Sequence, residues 1–390
     1  MTQHRHTLAA AAVVSIASLF LAACGGGGDT EPLVQAQAQP QPGSPDGRAR
    51  ALAVAQNPAT GVLRFEFVAM NTDAKFVVGP APGVVMVEGV EGVPNGTVYT
   101  GVTGIEWRSD AGNNRMVFEV NQADDFDISV TTGASNVELD VKWVVPPEST
   151  APITPSVEVT AGAGTRKIQV QLESFGRDVD FGLRTAFMAG NTELKGELQY
   201  KEGSVRAGGR MALDFGPGLN KVSLLVDSKA QHLNLDLAPR YMQELETKVI
   251  SSDPSSTARV RYAPVGVAGG GKIGFEMLSA APSITLDYDV TGSSGLDEVK
   301  LGLTTISAAT VNSNVRGFLY GANDKLELAY KGLPGTRINL TGAMDLGPGD
   351  DEAVLLREGI STTAPMLSCD AGIDKAVGWP VERTLACELF

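Results

Sequence analysis

The side chains able to do chemistry in this 390-residue chain are mostly carboxylates. Asp124, Asp125 and Asp127 fall in one turn; Asp345, Asp350 and Asp351, with Glu352 beside them, fall in another. Hard oxygen ligands at such spacing suit calcium, so both groups are candidate weak calcium sites. Neither follows the EF-hand loop or the glycine-aspartate nonapeptide, and acids on a solvated strand face have the same pattern. Paired carboxylates also hydrolyse glycosides, but only at a defined separation in space. Ser-His-Asp catalysis needs a histidine, and His232 is the only one beyond the first six residues. It opens HLNLDL at a polar alternating position, and no GxSxG elbow accompanies it. Zinc chemistry has neither HExxH nor CxxC to work with. Gly266 to Ile273 comes one residue short of a phosphate loop. Ile273 stands where a magnesium-holding Ser or Thr is required, and KIGFEM reads as a strand, not a helix. The residues thus point to a chain with no catalytic group and no nucleotide site.

The formal net charge of −14 and pI near 4.8 repel nucleic-acid backbones and exclude that partner class. They also repel anionic head groups, so membrane attachment needs something other than a basic patch. Three cysteines divide cleanly: Cys24 stands alone, and Cys369 and Cys387 sit close together. In an oxidising compartment the late pair is expected to form a disulfide. The chain-entropy treatment assigns so short a loop about 3 kcal/mol.

The elements that must position these residues are strands. DFDISVTT from Asp125, DVDFGLRT from Asp178 and EVKLGLTT from Glu298 share one pattern: an acid, alternating apolar residues and a closing threonine. Period two puts the apolar set on one face. NTELKGELQY follows the second copy and NSNVRGFLY the third; LDFGPG and MDLGPG come later. Turn-like AGNN, GASN, AGAGT and AGNT begin at Ala111, Gly133, Ala161 and Ala189, intervals of 22, 28 and 28 residues. Two short strands per interval is the signature of a β-solenoid coil. The fold class is therefore all-β and elongated, with a β-solenoid favoured over tandem antiparallel sandwich or barrel modules. For the latter, ELQYKEGSVRAGGRMAL would be a hairpin turning at KEGS. Proline-rich Val144–Pro155 and SSDPSS divide the body into β-rich blocks at 58–145, 156–250 and 257–390. The second block ends in a predicted short helix, Pro239–Ile250, with Tyr241, Leu245 and Val249 four apart.

Residues 1–23 carry Arg5 and an apolar run from Leu8 to Leu21, too short to span a bilayer as a mature helix. Leu21-Ala22-Ala23-Cys24 follows, and it resembles the lipobox of bacterial lipoprotein signals. The resemblance covers only the leader. It implies export, diacylglycerol on the Cys24 sulfur, cleavage before Cys24 and acylation of the new amine. Gly25, where that family's inner-membrane proteins place Asp, implies the outer membrane. Residues 24–57 are Gly, Gln, Ala and Pro without apolar period, the composition of a flexible tether. The expected protein is a lipid-anchored, non-enzymatic interaction or adhesion module with a protein or glycan partner. The alternatives are a periplasmic carrier, whose apolar faces (Ile168, Val170, Leu172; Val222, Leu224, Val226) would line a lipid path, and a carbohydrate-active enzyme.

Overall fold

Alternation drives the architecture. In Arg166–Ser174, Ile168, Val170 and Leu172 turn inward while Lys167, Gln169 and Gln171 face out. Nearly every strand repeats this, so each has one apolar face to bury. In the computed structural model, which describes residues 51–390 apart from 68–70, 123, 150, 371 and 390, these faces close on each other in a parallel β-solenoid of about ten turns. Each turn lays one strand in a leading sheet, passes a corner and lays a second in a trailing sheet. Asp178–Phe187 lies parallel on Ser156–Ala161 in the leading sheet. Thr192–Tyr200 lies parallel on Arg166–Ser174 in the trailing sheet, Thr192 opposite Arg166 and Tyr200 opposite Ser174. Two long strands, Gly104–Asn121 and Asp127–Val145, run through the corner and serve both sheets.

The interior is packed solid. Phe65, Phe67, Phe76, Trp107 and Phe118 stack at one end with ring centroids 4.3–6.1 Å apart. Trp143 packs between Phe126 and Phe181, each 6.2 Å away, and Tyr262, Phe275 and Tyr288 continue the core. The residues considered as a lipid path, Ile168, Val170, Leu172, Val222, Leu224 and Val226, belong to this core and are at most 3% exposed. Ends are covered. Ala51–Gln56 lies antiparallel on Val62–Phe67, and Val85–Glu88 and Thr97–Tyr99 form an antiparallel meander on Thr72–Val78. Such strands hide ladder groups that would otherwise invite edge pairing. At the other end the strands shrink to two or three residues, and Cys369 and Cys387 stand at disulfide distance, S–S 1.98 Å.

Tight corners require glycine. Gly190 has φ +141°, and a Cβ there would lie 1.9 Å from the carbonyl oxygen of Gly164 in the coil beneath. The AGNN, GASN, AGAGT and AGNT segments stack on one another at this corner, as their spacing implies.

Three expectations are corrected. Pro239–Ile250 is not a helix: it comprises the end of strand His232–Met242 and most of strand Glu244–Ser251. A four-residue spacing satisfies period two as well as period 3.6, and the ladders above and below decide. Tyr241, at φ +62°, sits at a register shift near the end of the first strand, and Gln243 separates the two strands. The hairpin at KEGS is also absent, because Thr192–Tyr200 pairs with the strands two before and two after it, not with Arg206–Asp214. Finally, the three motif copies are not equivalent. Those at Asp125 and Asp178 fall in the leading sheet, whereas Glu298–Thr305 is a trailing strand. The shared pattern reflects strand burial, half a coil out of phase. Pairing continues past both proline-bearing segments: Ile153 bridges to Val179, and Ser251 pairs with Ser279.

Candidate functional site

Stacking places one residue of each coil directly above its counterpart, so chemistry on this molecule comes as columns. Three adjoin at the corner entering the trailing sheet. The outermost is an Asx column. Asn71 accepts from the Asn113 backbone N–H at 3.1 Å, Asn113 from the Asn136 side chain at 2.8 Å, and Asn136 from the Thr165 N–H at 3.0 Å. Asn191, Asn323 and Asp350 accept in the same way from Leu219, Asp350 and Ile373. Apart from Asn113, each satisfies a corner backbone N–H.

The next column points inward. It carries Asn114, Val137, Arg166, Thr192 and Asn220, then, after Gln243 and Gly271, Asp297, Asp324, Asp351 and Asp374. Arg166 is 1% exposed, donates to the carbonyls of Gly162 and Ala189, and lies 4.8 Å above the Phe187 ring; burial pulls its guanidinium pKa down. The four aspartates are at most 2% exposed. Burial, then the charges of Asp297 and Asp351, pushes the Asp324 carboxyl up to about 6 against the pull of the Asp297 N–H. Asp351 is likewise pushed to about 6, first by burial, and burial also raises Asp297.

The third column opens each trailing strand and faces solvent. From rung to rung it reads Asp73, Arg115, Glu138, Lys167, Glu193, Lys221, Glu244, Lys272, Glu298, Lys325, Glu352, Lys375, Glu388. Every step changes sign. Contacts include Arg115–Asp73 at 2.8 Å, Lys221–Glu244 at 2.6 Å and Lys272–Glu298 at 3.2 Å. Opposite charges across a ladder stabilise, and like charges directly opposite do the reverse. The column therefore favours the native stacking over any slip by one coil.

Farther along the trailing face, Gly302 and Ala329 interrupt the larger side chains and leave a trough of about 420 Å³. Leu278 and Leu356 line it, with Lys300–Glu327 paired at 3.1 Å and Lys331 directed to Glu358 at 2.9 Å. Lys248 and Glu276, neighbours on adjacent rungs, line it without an ion pair among the described residues.

The residues singled out from sequence lie elsewhere or act structurally. Asp125 accepts from the Thr154 N–H at 2.5 Å, and Asp127 from the Ser156 hydroxyl. Asp345 accepts from the Gly347 N–H at 3.2 Å, and Asp351 from that of Asp324 at 2.6 Å. Asp124 is exposed in its turn. Among the described residues no three His, Cys, Asp or Glu side chains are placed to hold a metal ion. His232 is exposed, its Nδ1 2.8 Å from the Thr257 hydroxyl. Gly266–Gly271 is a corner, and Lys272 opens the strand Lys272–Ser279 within the alternating column. Cys24 lies outside the described residues. No family model, curated protein or solved structure matches the chain.

The alternating column and the aspartates at 297, 324 and 374 were not singled out from sequence. Their signal is an aspartate immediately before an opening acid or base, in LDE, NDK, DDE and IDK. It emerges only when strands are aligned coil by coil.

Proposed function

We propose that this is a lipid-anchored, non-enzymatic interaction module of the bacterial outer membrane, its solenoid a rigid scaffold for a recognition face. The observation that carries this reading is the trough on the trailing sheet, where Lys248 and Glu276 face solvent unpaired beside a floor of Gly302 and Ala329. A parallel face with a concave, ionically unsatisfied segment suits a partner bringing complementary charge. Anchorage through Cys24 and the 24–57 tether supports display at the membrane, and the solid interior supports a scaffold over a container. Fold alone assigns no activity.

The test is protease treatment of intact cells, with immunodetection of the part beyond Asn57. Removal by external protease while a periplasmic marker survives agrees with surface display. Protection until the outer membrane is opened overturns adhesion. A carrier reading would then lead, since Leu278 and Leu356 give the trough apolar surface, and copurifying lipid in native mass spectrometry would test it. The trough lining holds no aromatic ring, so the carbohydrate-active reading lacks a platform there.

A further inference from the structure

We propose that Asp324 and Asp351, the middle members of the buried column Asp297, Asp324, Asp351 and Asp374, form a protonation-operated lock on the C-terminal coils, closed when their carboxyls are neutral and loosened when they ionise. The four aspartates occupy one inward corner position on four consecutive rungs. The Asp297 N–H donates to Asp324 Oδ1 at 2.8 Å, the Asp324 N–H to Asp351 Oδ1 at 2.6 Å, and the Asp351 N–H to Asp374 Oδ1 at 3.0 Å. Each Oδ1 is thereby fixed. The Oδ2 atoms of Asp324, Asp351 and Asp374 are buried without a hydrogen-bond partner. Asp297 differs, because Ser293 and the Gly271 N–H satisfy both its oxygens. Rungs repeat at about 4.8 Å, so ionised carboxylates in this column repel across a short, poorly solvated gap.

The chain itself shows that the corner does not require charge. At the same position upstream stand Asn114, Val137, Thr192 and Asn220, with the cation Arg166 among them, and the Asn220 amide donates to the carbonyls of Gly216 at 2.9 Å and Tyr241 at 3.1 Å. A carboxylate accepts but cannot donate unless it is protonated. Four consecutive acids therefore make these rungs, and not the earlier ones, depend on proton binding.

The surroundings offer no compensating cation. Among the described residues none of the four makes an ion pair. Asp345 ends the strand before the corner Leu346–Asp351, Asp350 stands in that corner, and Asp370 is exposed in the next. The trailing strands bring Lys272, Glu298, Lys325, Glu352 and Lys375, all in the outward column. The titratable side chains turned inward from these coils are Tyr288 and Tyr330. The Asp324 and Asp351 carboxyls bind protons more tightly folded than unfolded, so their stability contribution is complete below about pH 4 and is lost as pH rises through about 6.

The test is hydrogen–deuterium exchange on the full chain near pH 5 and pH 7.5, corrected for intrinsic rates, with Asp324→Asn/Asp351→Asn alongside. Protection in 297–377 is expected to fall at least about tenfold at the higher pH in the wild type, with 156–228 unchanged. The double variant should show equal protection at both. Asn220→Asp is the converse: it should give 206–251 a pH dependence that the wild type lacks. PH-independent protection in wild-type 297–377, or a pH response surviving in the double variant, overturns the lock. If the double variant does not fold, the wild-type profile and Asn220→Asp decide it.

Discussion

Reversing one charge in the alternating column tests whether it holds the coils in phase. Glu138 lies 4.0 Å from Arg115 and 4.0 Å from Lys167, on the rungs before and after it. Glu138→Lys removes two attractions and puts three cations in line. All three side chains are about half exposed or more, so each contact is in the solvated range of about 0.2–1 kcal/mol. Two such attractions lost and two comparable repulsions gained total about 0.8–4 kcal/mol. Glu138→Gln loses only the attractions and should cost about half as much. With a urea m-value of about 3 kcal/mol per M, the lysine variant's midpoint falls by roughly 0.3–1.3 M. At about 1 M salt the Debye length shrinks to about 3 Å, and the gap between the two variants should close. Identical midpoints for the lysine and glutamine variants at low salt would refute the argument, leaving register to core packing alone.

Other perturbations address the corners, the core and the closing coil. Gly190→Ala drives a Cβ to 1.9 Å from a backbone oxygen and should cost about 2–3 kcal/mol. Gly203→Ala, at φ +97° with nothing within 4 Å, should cost only about 1 kcal/mol of backbone strain, and urea midpoints compare the two. Burial raises the phenol pKa values of Tyr200, Tyr262, Tyr288 and Tyr330. The folded chain thus holds these protons more tightly, and alkaline absorbance titration should show all four ionising only with unfolding. Early ionisation of any of them would contradict the packed interior. Cys369→Ser/Cys387→Ser opens a link across an 18-residue separation, worth about 3 kcal/mol by chain entropy. Exchange should rise in residues 366–389 and stay unchanged near 156–228.

What the sequence disclosed and what it hid follow from the same geometry. Period two in segments such as KIQVQLES announces a strand with one buried face, and corner glycines recurring at 22–28 residues announce a coil. Both signals are local or evenly spaced, and both lead to the solenoid. Local similarity misleads about phase, because a leading and a trailing strand face the same burial demand: Asp178–Thr185 and Glu298–Thr305 look alike and lie in different sheets. Pro239–Ile250 reads as a helix because a spacing of four fits either period, and only pairing with strands some 25 residues away resolves it. The acids show the limit most clearly. Proximity in sequence groups Asp345 with Asp350 and Asp351, yet Asp345 caps its own corner and Asp350 faces solvent. The partners of Asp351 are Asp324 and Asp374, 27 and 23 residues away. In a solenoid the neighbours that set a side chain's charge state are one coil distant, so a cluster along the chain and a cluster in space are different objects.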